Sequence, residues 1–118
     1  MAVRRIVPNV FDADPASTRE FYTGLFDLDV AMDMGWIATL VSPDTPRVQM
    51  SVFEVDGEEG RDPFISVEVD DVEAVHARAV ELGHPIEYAI RNEPWGVRRF
   101  MLRDPAGRVV NVLSHAGR

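Results

Sequence analysis

The sequence predicts an α+β fold of two βαβββ modules, and three observations lead to it. Each half of the chain reads as a strand, a helix and then further strands. Anchor residues recur at one offset: Val10, Asp14 and Leu25 return 57 positions later as Val67, Asp71 and Leu82. An acidic, Gly-containing stretch from Asp56 to Pro63 falls almost at mid-chain and reads as a linker. Either half alone leaves one face of its sheet bare, so the two must pack together. The 118 residues make one domain, with modules at about residues 4–57 and 62–115.

Taken in order, Val7–Phe11 is short and mostly apolar, as a strand is. Asp14 followed by Pro15 is a helix start, because the carboxylate caps free N–H groups and proline needs none at the first helical position. Phe21, Leu25 and Leu28 then form one apolar helix face, flanked by Tyr22 and Phe26. Trp36–Val41 and Val48–Val55 are strands around the Ser42–Pro46 turn. In the second half Phe64–Val69 is a strand, and Asp70-Asp71 offers a cap. The next helix buries Val72, Val75, Ala79 and Leu82 and ends at Gly83, with Pro85 beyond. Ile86–Ile90, Arg98–Arg103 and Val109–Leu113 are strands, separated by turns at Asn92–Gly96 and Asp104–Gly107.

Composition excludes whole chemistries. All twelve basic residues are Arg, and there is neither Lys nor Cys. Schiff bases, thiol catalysis, disulfides and Cys-ligated metals are ruled out. A formal charge of −8 argues against nucleic acid as a partner. No apolar run approaches the roughly 20 residues of a membrane span. The reading is a cytoplasmic protein with no membrane partner.

Two stretches carry a family resemblance. Asp14-Pro15-Ala16-Ser17-Thr18-Arg19-Glu20-Phe21-Tyr22 resembles the first-helix signature of the vicinal oxygen chelate superfamily: glyoxalases, extradiol dioxygenases and bleomycin- and fosfomycin-resistance proteins. Glu93-Pro94-Trp95-Gly96, followed by Asp104-Pro105-Ala106-Gly107-Arg108-Val109-Val110-Asn111, resembles its closing hairpin. The resemblance implies mixed sheets that curl around a shared cavity. It also implies a divalent metal held by His, Gln or Glu on the first and last strand of each half. By the spacing from Asp14, Asp71 and Gly107, those positions are Val7, Phe64 and Asn111; the offset of 57 makes Glu54 the counterpart of Asn111. Val and Phe coordinate nothing, so the expectation is no metal and no cofactor.

Strand alternation adds lining to Glu54, Phe64 and Asn111. Met50 shares a face with Glu54. If the Asp104–Gly107 turn pairs Arg103 with Arg108, then Phe100 lies opposite Asn111, and Arg98 shares that face. Trp95 and Trp36 are loop and strand-start aromatics suited to a ligand wall. The histidines His76, on the second helix, and His84, in a turn, read as exposed, and His115, four residues beyond Asn111, reads as outside the pocket. The resemblance, with its metal ligands lost, points to the bleomycin-resistance-like branch. Such a protein is a homodimer that sequesters a cationic or aromatic small organic ligand, such as an antibiotic, without catalysis. The alternative is a glyoxalase- or dioxygenase-like enzyme, with a metal site not evident in the sequence or with Glu54 as general base.

Overall fold

The first strand, β1 (Val3–Asp12), is twice the length the sequence suggests, because the Arg4-Arg5-Ile6 lead-in pairs as well. Then come α1 (Pro15–Phe26), β2 (Asp29–Asp33), β3 (Ile37–Val41) and β4 (Gln49–Glu54). The second half gives β5 (Ile65–Val69), α2 (Val72–Glu81), β6 (Ile86–Asn92), β7 (Val97–Arg103) and β8 (Val109–His115). This computed structural model describes residues 2–54 and 62–115, so most of the expected mid-chain linker and the last residue of the Val48–Val55 strand lie outside the described residues. Among the described residues, no helix is long and apolar enough to cross a membrane.

The chain divides into two units. The first is Val7–Asp62; the second comprises the residues up to Ile6 and those from Pro63 onward. In the first unit the strand order is β2-β3-β4-β1, with β1 and β4 parallel and the other pairs antiparallel. Asp14 caps α1 by accepting from the Ser17 N–H, as its position before Pro15 foretells. The inward face of α1 differs from the expected one. Tyr22, with Leu28 just beyond the helix, packs on Ala38, Leu40 and Val52, while Phe21, Leu25 and Phe26 are exposed. The aromatic-rich helix thus keeps an uncovered apolar side. The exposed edge strand β2 completes the βαβββ order in the first half, where the sequence reading names only two strands after the helix; Val30 and Met32 alternate with their neighbours, and a register shift interrupts its pairing with β3.

In the second unit the order is β1-β5-β8-β7-β6, with β5 and β8 parallel. Asp71 caps α2 by accepting from the Ala74 N–H. The helix closes with two reverse bonds, from Gly83 N–H to the Val80 carbonyl and from His84 N–H to the Ala79 carbonyl. That closure needs φ of +82° at Gly83, a left-handed conformation that glycine adopts without Cβ strain. Val72 and Ala79 are buried with Val69, Val112 and Phe100 beneath the helix. Leu82, expected on this face, is exposed, and His76 takes the inward place, with its ring edge-on to Phe100 at 5.0 Å. Residues 72, 76 and 79 follow the helical period, so His76 caps the core rather than facing water.

The β7–β8 register differs by one residue from the expected pairing. The Asp104 N–H bonds to the Arg108 carbonyl, so Arg103 pairs with Val109, Met101 with Asn111 and Phe100 with Val112. A one-residue shift moves every side chain to the other face. Phe100 and Arg98 therefore lie on the α2 side of the sheet, not beside Asn111.

Candidate functional site

The face of the second unit's sheet away from α2 carries buried polar side chains, Glu68 and Asn111, beside apolar Met101 and Leu113. Ser66, Asn111 and Met101 stand side by side on β5, β8 and β7. Asn111 is buried; its Nδ2 donates to Ser66 Oγ at 3.1 Å, and its Oδ1 is buried with no partner among the described residues. An unpaired buried carbonyl of this kind costs about 1–3 kcal/mol, and a ligand donor would recover it. The next row is Glu68, Leu113 and Arg99.

One buried carboxylate, Glu68, stands in that row and a second, Glu93, holds its Arg99. Glu68, 1% exposed, accepts from Arg5 Nε and lies 2.8 Å from His115 Nδ1. Glu93, 6% exposed, accepts from Arg91 Nε, from Arg99 Nη2 at 2.8 Å and from the Tyr88 hydroxyl at 3.0 Å. Arg91 and Arg99 each lie about 5 Å from the Tyr88 ring, and Arg99 lies the same distance from the Trp95 ring. The result is a stack of alternating guanidinium and aromatic groups, locked by one carboxylate.

Burial works to raise both carboxyls, but their partners win. The His115 hydrogen bond and the Arg5 charge hold Glu68 below the ordinary glutamate range; hydrogen bonds from Arg91 and Tyr88, with the Arg99 charge, do the same for Glu93. A depressed folded-state pKa means the unfolded chain binds protons first. The stabilisation is complete above the unfolded glutamate value of about 4.3 and drains as pH falls through the lower folded values. Urea unfolding at several pH values between neutral and about 3 is expected to show stability falling below about pH 5. Glu68→Gln is expected to flatten that fall.

The eight residues singled out from the sequence are dispersed over both faces of the sheets. Glu54 is exposed and shares the α1 face of β4 with half-buried Met50, which packs on Leu40 and Val52. The burial that a general-base role for Glu54 requires is not present. Trp36 is exposed and tilted against Phe53 at 6.1 Å, and Phe53 stacks on Phe11 at 4.7 Å. Phe64 is exposed beneath the Arg108 guanidinium. Trp95 is exposed over Arg99. Phe100 is fully buried under α2, and Arg98 is tied to Glu73 and Asn92. Asn111 alone combines burial with an unused polar atom.

The register also corrects the counterpart of Asn111. Asn111 pairs with Ser66, whose equivalent at the 57-residue offset is Asn9, and Asn9 pairs with Ser51. Ser51, not Glu54, is therefore the counterpart, at an offset of 60. Each unit carries an Asn–Ser pair at the same place, with the partners exchanged. Position by position, the implied metal ligands are Val7, Ser51, Phe64 and Asn111. Two hydrocarbons, a hydroxyl and an amide do not fit a divalent ion. Among the described residues, no three His, Asp or Glu side chains converge to hold one.

Each unit has a cleft at its helix N-terminus. The first, of about 200 Å³, is lined by Asp14, Arg19, Asp33 and Gly35 among others. The second, of about 470 Å³, includes Asp71, Glu73, Asn92, Arg98 and His115. His115, placed by the sequence beyond Asn111, is half-buried, is held by Glu68 and lines this second cleft. The sequence signal for the buried carboxylates was present. Glu68 alternates with Ser66 on one strand face, and Glu93 has Arg91 two residues before it and Arg99 six after.

The chain matches the family described as the Glyoxalase/Bleomycin resistance protein/Dioxygenase superfamily over residues 4–112. No curated protein matches it significantly in sequence. Among solved structures, it is similar to a member of that superfamily from Vibrio splendidus 12B01, with TM-score 0.76 and 17% identity over 96% of this chain and 99% of that one. A methylmalonyl-CoA epimerase variant from Streptomyces coelicolor, in complex with 2-nitronate-propionyl-CoA, has TM-score 0.73 and 19% identity over 98% and 100%. The hypothetical protein BH1468 from Bacillus halodurans C-125 has TM-score 0.75 and 14% identity over 100% and 98%. At these identities the likeness shows the fold.

Proposed function

Since the chain belongs to the Glyoxalase/Bleomycin resistance protein/Dioxygenase superfamily, we propose that it is a metal-independent binder of a small organic ligand within that family. The observation that carries this reading is the donor set at the family's ligand positions: Val7, Ser51, Phe64 and Asn111. The unpartnered Asn111 Oδ1 provides a hydrogen-bond acceptor, and Met101 beside it provides apolar contact. Exposed Phe64 and Trp95, in the same unit as Asn111, supply aromatic area. The charge of −8 favours a cationic aromatic compound by long-range attraction. The reading includes a homodimer, supported by the exposed Phe21, Leu25 and Phe26 of α1, which monomers seldom leave bare together.

The test is a fluorescence titration of EDTA-dialysed protein with a panel of aromatic cations and their neutral analogues, read from Trp36 and Trp95. Saturable binding unaffected by EDTA is expected, weakened about tenfold by Asn111→Leu, the scale of one lost hydrogen bond. Binding that appears only after a divalent metal is added defeats the proposal. Light scattering of the eluting protein, reading a dimer or a monomer mass, decides the assembly separately.

A further inference from the structure

We propose that the face of the first unit's sheet turned away from α1 is a binding site for a neutral, planar heteroaromatic molecule, held by the Thr39 and Ser51 hydroxyls beside Trp36. It lies in the other unit from Asn111 and shares no residue with that face.

Register decides which side chains this face carries. Ala38, Leu40 and Val52 pack under α1, so their strand neighbours point the other way. One row across the sheet is then Asn9 on β1, Ser51 on β4, Thr39 on β3 and Met32 on β2. The row beside it holds Phe11 and Phe53, whose rings stack at 4.7 Å with their planes 13° apart. Trp36 stands at the end of that row, 6.1 Å from Phe53, with 48% of its surface open. A polar row thus runs alongside an aromatic one.

The two hydroxyls are adjacent and unused. Thr39 pairs directly with Ser51, which sets their Cβ atoms about 5 Å apart. Neither side chain makes a hydrogen bond among the described residues. Ser51 is 7% exposed and Thr39 half-buried, so water solvates both incompletely. A hydroxyl held from water without a partner is destabilised, and a ligand atom that pairs with it recovers the loss. Each hydroxyl both donates and accepts, which suits a ring edge carrying a carbonyl beside an N–H.

The face is uncharged where the hydroxyls sit. Every side chain that β1, β3 and β4 of this unit place there is neutral, and β2 brings Asp29 to the margin, opposite Val41. The fold does not demand this, since the equivalent strands of the second unit place Glu68 and Arg99 on theirs. An ion laid on the first unit's face loses its water shell without gaining an opposite charge, so the site selects a neutral ring. Trp36 supplies the stacking surface. A flat fused bicycle with one polar edge meets both rows at once.

The experiment is equilibrium dialysis of the whole protein against three bicyclic probes of similar size: 2-quinolone, naphthalene and N-methylquinolinium. The first has the carbonyl and N–H edge, the second has no polar edge, and the third is a cation. 2-Quinolone is expected to bind saturably and about tenfold more tightly than either of the others, the scale of one hydrogen bond. Thr39→Val and Ser51→Ala are each expected to weaken 2-quinolone about tenfold and to leave naphthalene unchanged. Thr39→Ser, which keeps the hydroxyl, is expected to retain binding. Trp36→Leu is expected to weaken all three probes alike, because it removes stacking and no hydrogen bond. Circular dichroism confirms folding of each variant. No saturable binding of 2-quinolone, naphthalene or the cation binding as tightly, or 2-quinolone binding that survives both hydroxyl removals overturns the proposal.

Discussion

Phe100→Ala is expected to lower the free energy of unfolding by about 3–5 kcal/mol. Phe100 is fully buried at the centre of the cluster formed by Val69, Val72, Ala79 and Val112, and the His76 ring stands edge-on to it. Truncation removes the ring's transfer energy and leaves a void that the α2 helix can close only by moving. Because α2 is tied at both ends, by the Asp71 cap and the Gly83 closure, little relaxation is available. For a chain of this size the melting temperature should fall on the order of 10–20 °C. Urea unfolding followed by far-ultraviolet dichroism measures it. Phe100→Leu, which keeps most of the volume, should recover more than half of the loss. If Phe100→Ala costs under about 1 kcal/mol, the packing described beneath α2 is wrong.

Glu93→Ala is expected to cost about as much, roughly 3–5 kcal/mol, for a different reason. The carboxylate is buried and serves Arg91, Arg99 and Tyr88 together. Its removal leaves Arg99, whose buried Nε has no partner among the described residues, without compensation for the rest of its charge. The stack with Tyr88 and Trp95 should loosen, so Trp95 emission should shift when read in a Trp36→Phe background. Glu93→Gln retains an acceptor and should lose less. Equal losses for Ala and Gln would mean that charge, not hydrogen bonding, holds the cluster. Loss from neither would mean that the cluster contributes nothing to stability.

Local chemistry was legible in the sequence; long-range register was not. Asp14 before Pro15 and Asp71 before Val72 announce both helices, because a cap depends only on its own next three residues. Gly83 announces a helix end for the same reason. The β7–β8 pairing depends on how the Asp104–Gly107 turn closes, and one residue there decides whether Phe100 lies beside Asn111 or behind it. The repeat misleads similarly. The offset of 57 holds through the first strand and the helix cap, but the pairing of Asn9 with Ser51 and of Ser66 with Asn111 makes it 60 at the last strand. Burial of Glu68 and Glu93 is a tertiary property, and composition treats both as ordinary surface acids. The rotation of α1 that buries Tyr22 and exposes Phe21 is equally a matter of what the sheet offers, since both apolar stripes are present.

Apart from the His115 contact, every ion pair found among the described residues takes its positive partner from arginine. A guanidinium keeps its charge far into alkaline solution, whereas an ammonium does not. The polar framework therefore has an acid limit but no corresponding alkaline limit from its cations. Tolerance of base should be markedly wider than tolerance of acid, which makes mildly alkaline buffer the natural medium for handling the protein.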